Sequence, residues 1–302
     1  MVDLNRTRGC LLGLAVGDAV GTTVEFCARG TFPLVMDMTG SGPFSLEAGQ
    51  WTDDTSMALC LATSLVACHG FDAHDQMRRY LDWSHRGYLS SNGVCFGIGN
   101  TVAAALNRYV NVGDPFAGSK DTDSAGNGSI MRLAPIPMYY EDAPDEMEDY
   151  AVRSSRTTHG ATECLDACRL LALIIRRALV GESKEQVILG ESGRSFGKSK
   201  ITSIARADYT TKTEIDIRGT GYVVDSLEAA MWCFSGTDDF RAAILKAANL
   251  GDDADTTAAI CGQVAGAYYG MSHIPAEWLK RLTMCAEITD LADQVVSTQT
   301  CR

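Results

Sequence analysis

Two sets of glycines recur at every fourth position, Gly13, Gly17 and Gly21 near the start of the chain and Gly262, Gly266 and Gly270 near its end. Four residues are close to one α-helical turn, so each set strips the side chains from one face of a helix and lets a neighbouring backbone approach there. Helices with bare faces belong at the centre of a fold. These two lie at opposite ends of the sequence, with no internal repeat or low-complexity stretch between them. The pattern therefore predicts a single domain over residues 1–302 whose termini cooperate in one core. Membrane-spanning dimers use the same spacing, but Asp18 and Glu25 beside the first set argue against that, and no apolar run approaches the roughly 20 residues of a span.

Apolar residues return at three- and four-residue spacing over 7–20, 56–68, 73–83, 98–110, 161–180, 222–234, 239–249, 255–270 and 276–293. The expectation is an all-α protein. The best strand signal, Lys212 to Arg218, is feeble and sits in a Gly-, Ser- and Lys-rich stretch, so 193–220 reads as a long surface excursion. Further excursions over 28–50 and 111–128, broken by Gly, Pro, Ser and Asp, have the length of functional loops.

Two acidic, hydroxyl-bearing turns head small-residue helices: Trp51-Thr52-Asp53-Asp54-Thr55 and Gly251-Asp252-Asp253-Ala254-Asp255-Thr256-Thr257. Asp and Thr are also good helix caps, and either turn taken alone fits that role. Capping does not explain carboxylates crowded side by side, which repel unless a cation neutralises them. Hard oxygen ligands without cysteine or histidine suit Mg²⁺ or Mn²⁺, and if the two turns meet they make a two-metal site. An EF-hand is excluded for the second turn, because the sixth position from Asp252 is Thr257 and the twelfth is Gln263.

A net charge of −12 argues against nucleic acid, and the weak basic stripe of Lys198, Lys200, Arg206, Lys212 and Arg218 reads as a solvated loop. With 46% hydrophobic and 21% charged residues the composition is that of a globular protein. The first residues lack a secretory signal, and the 11 cysteines, among apolar neighbours and without any CxxC pair, read as free thiols. A cytoplasmic protein is expected. Cys164 and Cys168 with His159 offer too few soft ligands for zinc. His74-Asp75 lacks the partners that an HD-type phosphohydrolase needs.

Several motifs together resemble the ADP-ribosylglycohydrolase family, the group that includes the dinitrogenase reductase-activating glycohydrolase. They are Gly13-Leu14-Ala15-Val16-Gly17-Asp18-Ala19-Val20-Gly21 running to Glu25, Trp51 to Thr55, Gly126-Asn127-Gly128-Ser129-Ile130-Met131-Arg132, Thr158-His159, and Gly251 to Thr256, in the family's order. The resemblance implies an orthogonal all-α helical bundle with two Mg²⁺ or Mn²⁺ ions held by Thr52, Asp53 and Asp54 and by Asp253, Asp255 and Thr256. Asp252 is left as a supporting or solvent-facing group. Ligand contacts are implied for Gly97, Gly99 and Asn100 of a second glycine loop, for Asn127, Gly128 and Ser129, and for His159. Glu25 matches the family's mobile acidic residue.

The activity so implied is hydrolysis of the bond between the distal ribose of ADP-ribose and a modified protein side chain, through an oxocarbenium-like transition state. Glu25 or Asp54 takes the water's proton. Arginine is the implied acceptor, with an ADP-ribosylated protein and ADP-ribose as partners. At Gly97 the chain departs from the many bacterial members that carry Asp there, in a catalytic or guanidinium-binding role. That departure keeps open serine-linked ADP-ribose, O-acetyl-ADP-ribose, or a catalytically weakened ADP-ribose-binding relative. A two-metal phosphohydrolase is a further alternative.

Overall fold

A computed structural model describes residues 2–299. Its helices are α1 (Leu4–Gly21), α2 (Asp53–Cys68), α3 (Ala73–Arg86), α4 (Asn100–Val112), α5 (Pro135–Tyr139), α6 (Pro144–Arg156), α7 (Thr162–Leu179), α8 (Lys184–Leu189), α9 (Ser199–Ala205), α10 (Val223–Ser235), α11 (Phe240–Ala248), α12 (Ala254–Tyr269), α13 (Ala276–Arg281) and α14 (Cys285–Gln299). Among the described residues the only strand-like pairings are isolated bridges, such as Gly126 with Tyr222. None of the helices is long and apolar enough to cross a membrane.

From Gly9 to Gly21 and from Ala254 to Ala267, α1 and α12 are buried on all sides, as apolar character around the whole helix requires. They run antiparallel with their glycine faces together. A Cβ on Gly9 would lie 2.3 Å from the Gly266 carbonyl oxygen, one on Gly17 2.1 Å from that of Ala258, and one on Gly21 2.4 Å from that of Ala254. No real Cβ sits so close, so backbone touches backbone along the whole pair. α7, α10 and α11 cover α12, while α2 and α14 lie against α1. A second apolar cluster, with Met57, Cys60, Met77, Tyr80, Trp83 and Leu106, joins α2 to α3 and α4.

The long helix expected over 276–293 is broken. α13 stops at Arg281 and α14 starts at Cys285, with Met284 at φ +56°. The broken turn serves the other end of the chain: Thr283 N donates to Gly49 O at 3.0 Å, and Trp51 Nε1 donates to Thr283 O at 3.2 Å. The excursion over 193–220 is also corrected. It contains α9, buries Ile201, Ile204, Tyr209 and Ile217, and forms 3₁₀ turns where the strand signal lay. Ile at 201 and 204 is helical spacing, which the surrounding Gly, Ser and Lys obscured. The short helices α5 and α8 and the 13-residue α6 fall outside the expected helical stretches, although Pro144 at the first turn of α6 and the Ser183–Gln186 capping box of α8 mark their starts.

Candidate active site

Antiparallel packing sets the C-terminal end of α1 beside the N-terminal end of α12, and so carries Asp18 and Glu25 to Asp253 and Asp255. α2 arrives because Asp18 caps it from another helix. Asp18 Oδ1 accepts from Thr52 N at 2.8 Å and Thr52 Oγ1 at 2.9 Å; Oδ2 accepts from Thr55 N at 3.0 Å and Thr55 Oγ1 at 2.6 Å. Thr52 itself makes no side-chain cap, so the free N–H groups at the start of α2 are met by α1. An acid on the bare-faced helix was the visible signal for this role, and sequence reasoning passed over it.

Carboxylate oxygens of Asp18, Asp54 and Asp255 lie within 4.8 Å of one another, and so do those of Glu25, Asp253 and Asp255. Asp255 belongs to both triplets. Thr52 Oγ1 reaches Asp54 Oδ2 at 3.3 Å and Asp255 Oδ2 at 3.2 Å, and Thr256 Oγ1 reaches Asp54 Oδ2 at 3.4 Å. Asp53 is in neither triplet, although it lines the cleft. Burial, then the neighbouring negative charges, hold Asp53, Asp54 and Asp255 far above the usual carboxylate range; burial, with Asp253 and Asp18, pushes Glu25 up to about 8. Asp54 Oδ1 is buried with no hydrogen-bond partner. A lone pair with nothing to accept, on a floor of carboxylates with no basic residue among them, is the donor set of a hard divalent cation. These residues fit the implied metals.

The cleft above is lined by the acids Glu25, Asp53, Asp253 and Asp255 with Thr256, and by Gly97, Gly99, Asn100, Asn127, Gly128 and His159. Thr52 and Asp54 lie in its buried floor. Ser129 stands back from it, its Oγ accepting from Cys168 Sγ at 3.4 Å. Asn127 has an unforeseen part: its Nδ2 donates to Asp253 Oδ2 at 2.7 Å and to Ser226 Oγ at 2.8 Å, which aims the Asp253 carboxylate. Gly97, at φ +74°, brings the loop so near that a Cβ there would lie 2.6 Å from Asp53 Oδ1.

The turn that follows Glu25 is tied down by backbone bonds. Phe26 N donates to Asp252 O at 2.7 Å and Asp252 N to Cys27 O at 2.8 Å, with Phe26 at φ +63° and Asp252 at φ +55°. The Asp252 side chain is exposed, and its backbone ties the Glu25 turn to the head of α12. Phe26 is 70% exposed and meets Phe44 edge-on at 6.4 Å, and Phe44 meets Phe96 at 5.2 Å.

Such a helical body carries an acid-floored cleft between glycine loops, a donor set that suits a hard divalent cation. The chain belongs to the ADP-ribosylglycohydrolase family, hydrolases that remove ADP-ribose, and the family's model matches residues 2–302. It is 44% identical over 292 residues to the ADP-ribosylarginine hydrolase Tri1 of Pseudomonas putida, covering 97% of this chain and 78% of that protein. It is 33% identical over 287 residues to the ADP-ribosyl dinitrogen reductase glycohydrolase of Rhodospirillum rubrum, covering 94% and 92%. A solved chain of an ADP-ribosylglycohydrolase-related protein complex superposes with a TM-score of 0.88 at 42% identity over 98% of each chain.

Proposed function

We propose that this protein cleaves the glycosidic bond between ADP-ribose and a modified arginine side chain, with two Mg²⁺ or Mn²⁺ ions in the cleft. The observation that carries the reading is the pair of carboxylate triplets sharing Asp255 above the unpartnered Asp54 Oδ1. Relatives named for ADP-ribosylarginine support the acceptor, as does an acidic cleft suited to a guanidinium. Ten free thiols among the described residues suit a cytoplasmic site of action.

Asp54, Asp255, Thr52 and Thr256 would hold one cation, and Asp255, Asp253, Asp53 and Glu25 the other. Asp18 already accepts four hydrogen bonds, so it braces the site. When bound, the cations supply Lewis acidity that orients the ribose diol and activates a water. Glu25 is better placed than Asp54 to take the proton of the attacking water, because it lines the cleft while Asp54 is buried in the floor. The backbones of Gly97–Asn100 and Gly126–Gly128 let the diphosphate approach closely, and α4 opens there with free N–H groups facing its negative charge. Incubation with arginine- and serine-linked ADP-ribosyl peptides in parallel, with Mg²⁺ or Mn²⁺, tests the reading. Arginine-linked release that stops in excess chelator is expected; turnover confined to the serine-linked peptide, or undiminished in chelator, overturns it.

A further inference from the structure

Arg132 is wholly buried, yet among the described residues no carboxylate lies within ion-pair reach of it. Its guanidinium lies 4.7 Å from the centre of the Tyr80 ring, its Nε has no partner, and one terminal nitrogen donates to Thr158 Oγ1 at 2.7 Å. Leaving a cation so placed costs several kcal/mol, so its position calls for a role that an apolar residue would not fill.

The bonding pattern gives one. A guanidinium only donates, so Thr158 Oγ1 accepts from Arg132. The single Oγ1–H of Thr158, itself fully buried, then has one acceptor in reach, His159 Nδ1 at 2.8 Å. If Nδ1 carried a proton instead, the Thr158 hydroxyl hydrogen would be buried without a partner, which costs about 1–3 kcal/mol. Nδ1 is therefore the bare nitrogen, and the proton of the neutral ring sits on Nε2. The charge of Arg132 works in the same direction, since a second proton on the ring would face it. Burial, and then Arg132, push the His159 imidazolium down to about 3. Nε2 makes no hydrogen bond within the described protein and faces the glycine turn of the cleft: a Cβ on Gly128 would lie 3.1 Å from it and one on Gly126 3.4 Å. The ring is buried between Thr158 and the Gly126–Gly128 turn, and the backbone that carries it is held on both sides, N donating to Ser155 O at 2.7 Å and O accepting from Ser155 Oγ at 2.9 Å.

We infer that Arg132 and Thr158 are positioning residues that fix His159 as a neutral imidazole presenting Nε2–H to the cleft as a donor. This excludes His159 from service as a base. Resting on the function proposed above, the acceptor of that bond is a ribose or phosphate oxygen of ADP-ribose.

The test is nitrogen NMR of the full-length protein labelled at histidine, with the His159 signals identified by their loss in His159→Gln. Wild type is expected to show the Nε2–H tautomer, unchanged between pH 5 and 8. Thr158→Val, which keeps the shape and removes the hydroxyl, should shift the population toward Nδ1–H, and Thr158→Ser should restore Nε2–H. Calorimetric affinity for ADP-ribose with Mg²⁺ should fall about tenfold in Thr158→Val, the effect of one lost hydrogen bond, and recover in Thr158→Ser. A wild-type Nδ1–H or imidazolium state at pH 7 overturns the inference, as does a Thr158→Val protein with both tautomer and affinity unchanged. A wild type that shows the Nε2–H tautomer but does not bind ADP-ribose sinks the functional reading and leaves the relay standing.

Discussion

Gly13 and Gly262 face each other with nothing between them: a Cβ on Gly13 would lie 2.2 Å from the Gly262 carbonyl oxygen, and one on Gly262 2.0 Å from that of Gly13. The contact is reciprocal and purely backbone. It fixes both the spacing and the register of α1 against α12, and the register decides which acids meet at the end of the pair.

Gly17→Ala should therefore be costly beyond its size. The new methyl would meet Ala258 O at 2.1 Å, and a helix backbone cannot yield as a side-chain tip can. Overpacking of this kind costs about 1–3 kcal/mol or more. Urea unfolding should show that loss, and Mn²⁺ affinity should fall with it because Asp255 moves with α12. Unchanged stability and metal affinity would mean the two helices are not in contact there.

The floor carboxylates are expected to behave oppositely with and without metal. In excess chelator, folding must either bury Asp54 as an anion among other acids or protonate it, and Asp54→Asn relieves that cost, so the variant should melt above wild type, by about 2–4 °C for each kcal/mol relieved. With Mg²⁺ at a hundred times its Kd the wild type gains about 2.7 kcal/mol, and the order reverses. Thermal melts in the two buffers check this, and the same ranking in both would show that Asp54 is not a ligand.

Asp18→Asn should not share that behaviour. Each Asp18 oxygen accepts an N–H and a hydroxyl, and an amide nitrogen in either place turns the N–H contact into a donor clash and forces the hydroxyl to reverse from donor to acceptor. Its melting temperature should drop both in chelator and in Mg²⁺, by the equivalent of about 1–3 kcal/mol. A rise in chelator like that of Asp54→Asn would remove the capping role.

Gly97→Ala should slow turnover about tenfold to a hundredfold while leaving the fold intact. The added methyl strains a residue at φ +74° and presses Asp53 Oδ1 from 2.6 Å. Gly97→Asp would bring the same collision together with another negative charge, so it does not simply supply a missing carboxylate. Rates at or above wild type for either variant would show that the loop moves away from Asp53 in the working enzyme.

His159 gives a pH signature. Its folded value, about 3, lies below the ordinary value near 6.5, so the unfolded chain binds the proton first as pH falls. Stability from this group is fully present above pH 6.5 and is lost as pH drops toward 3, with a slope approaching about 1.4 kcal/mol per unit. His159→Gln should lack that slope, so its stability relative to wild type improves steadily from pH 6.5 to 4.5 in denaturant titrations. Parallel curves would mean that the ring is solvated.

The sequence alone determined most of the helices, because helical period and glycine spacing are local and repeat within a few turns. It also placed acids at the heads of α2 and α12, since residues adjacent in sequence at a helix start must be adjacent in space. It could not show that the two bare faces pack against each other, that Asp18 caps α2, that Asn127 aims Asp253, or that a buried Arg132 reaches His159 through Thr158. Nor could it show the break at Met284, which exists so that Thr283 can bond to Gly49 and Trp51. Each of these is a match between segments far apart in the chain, where steric fit and unmet hydrogen bonds select the partner. Only the folded arrangement decides them.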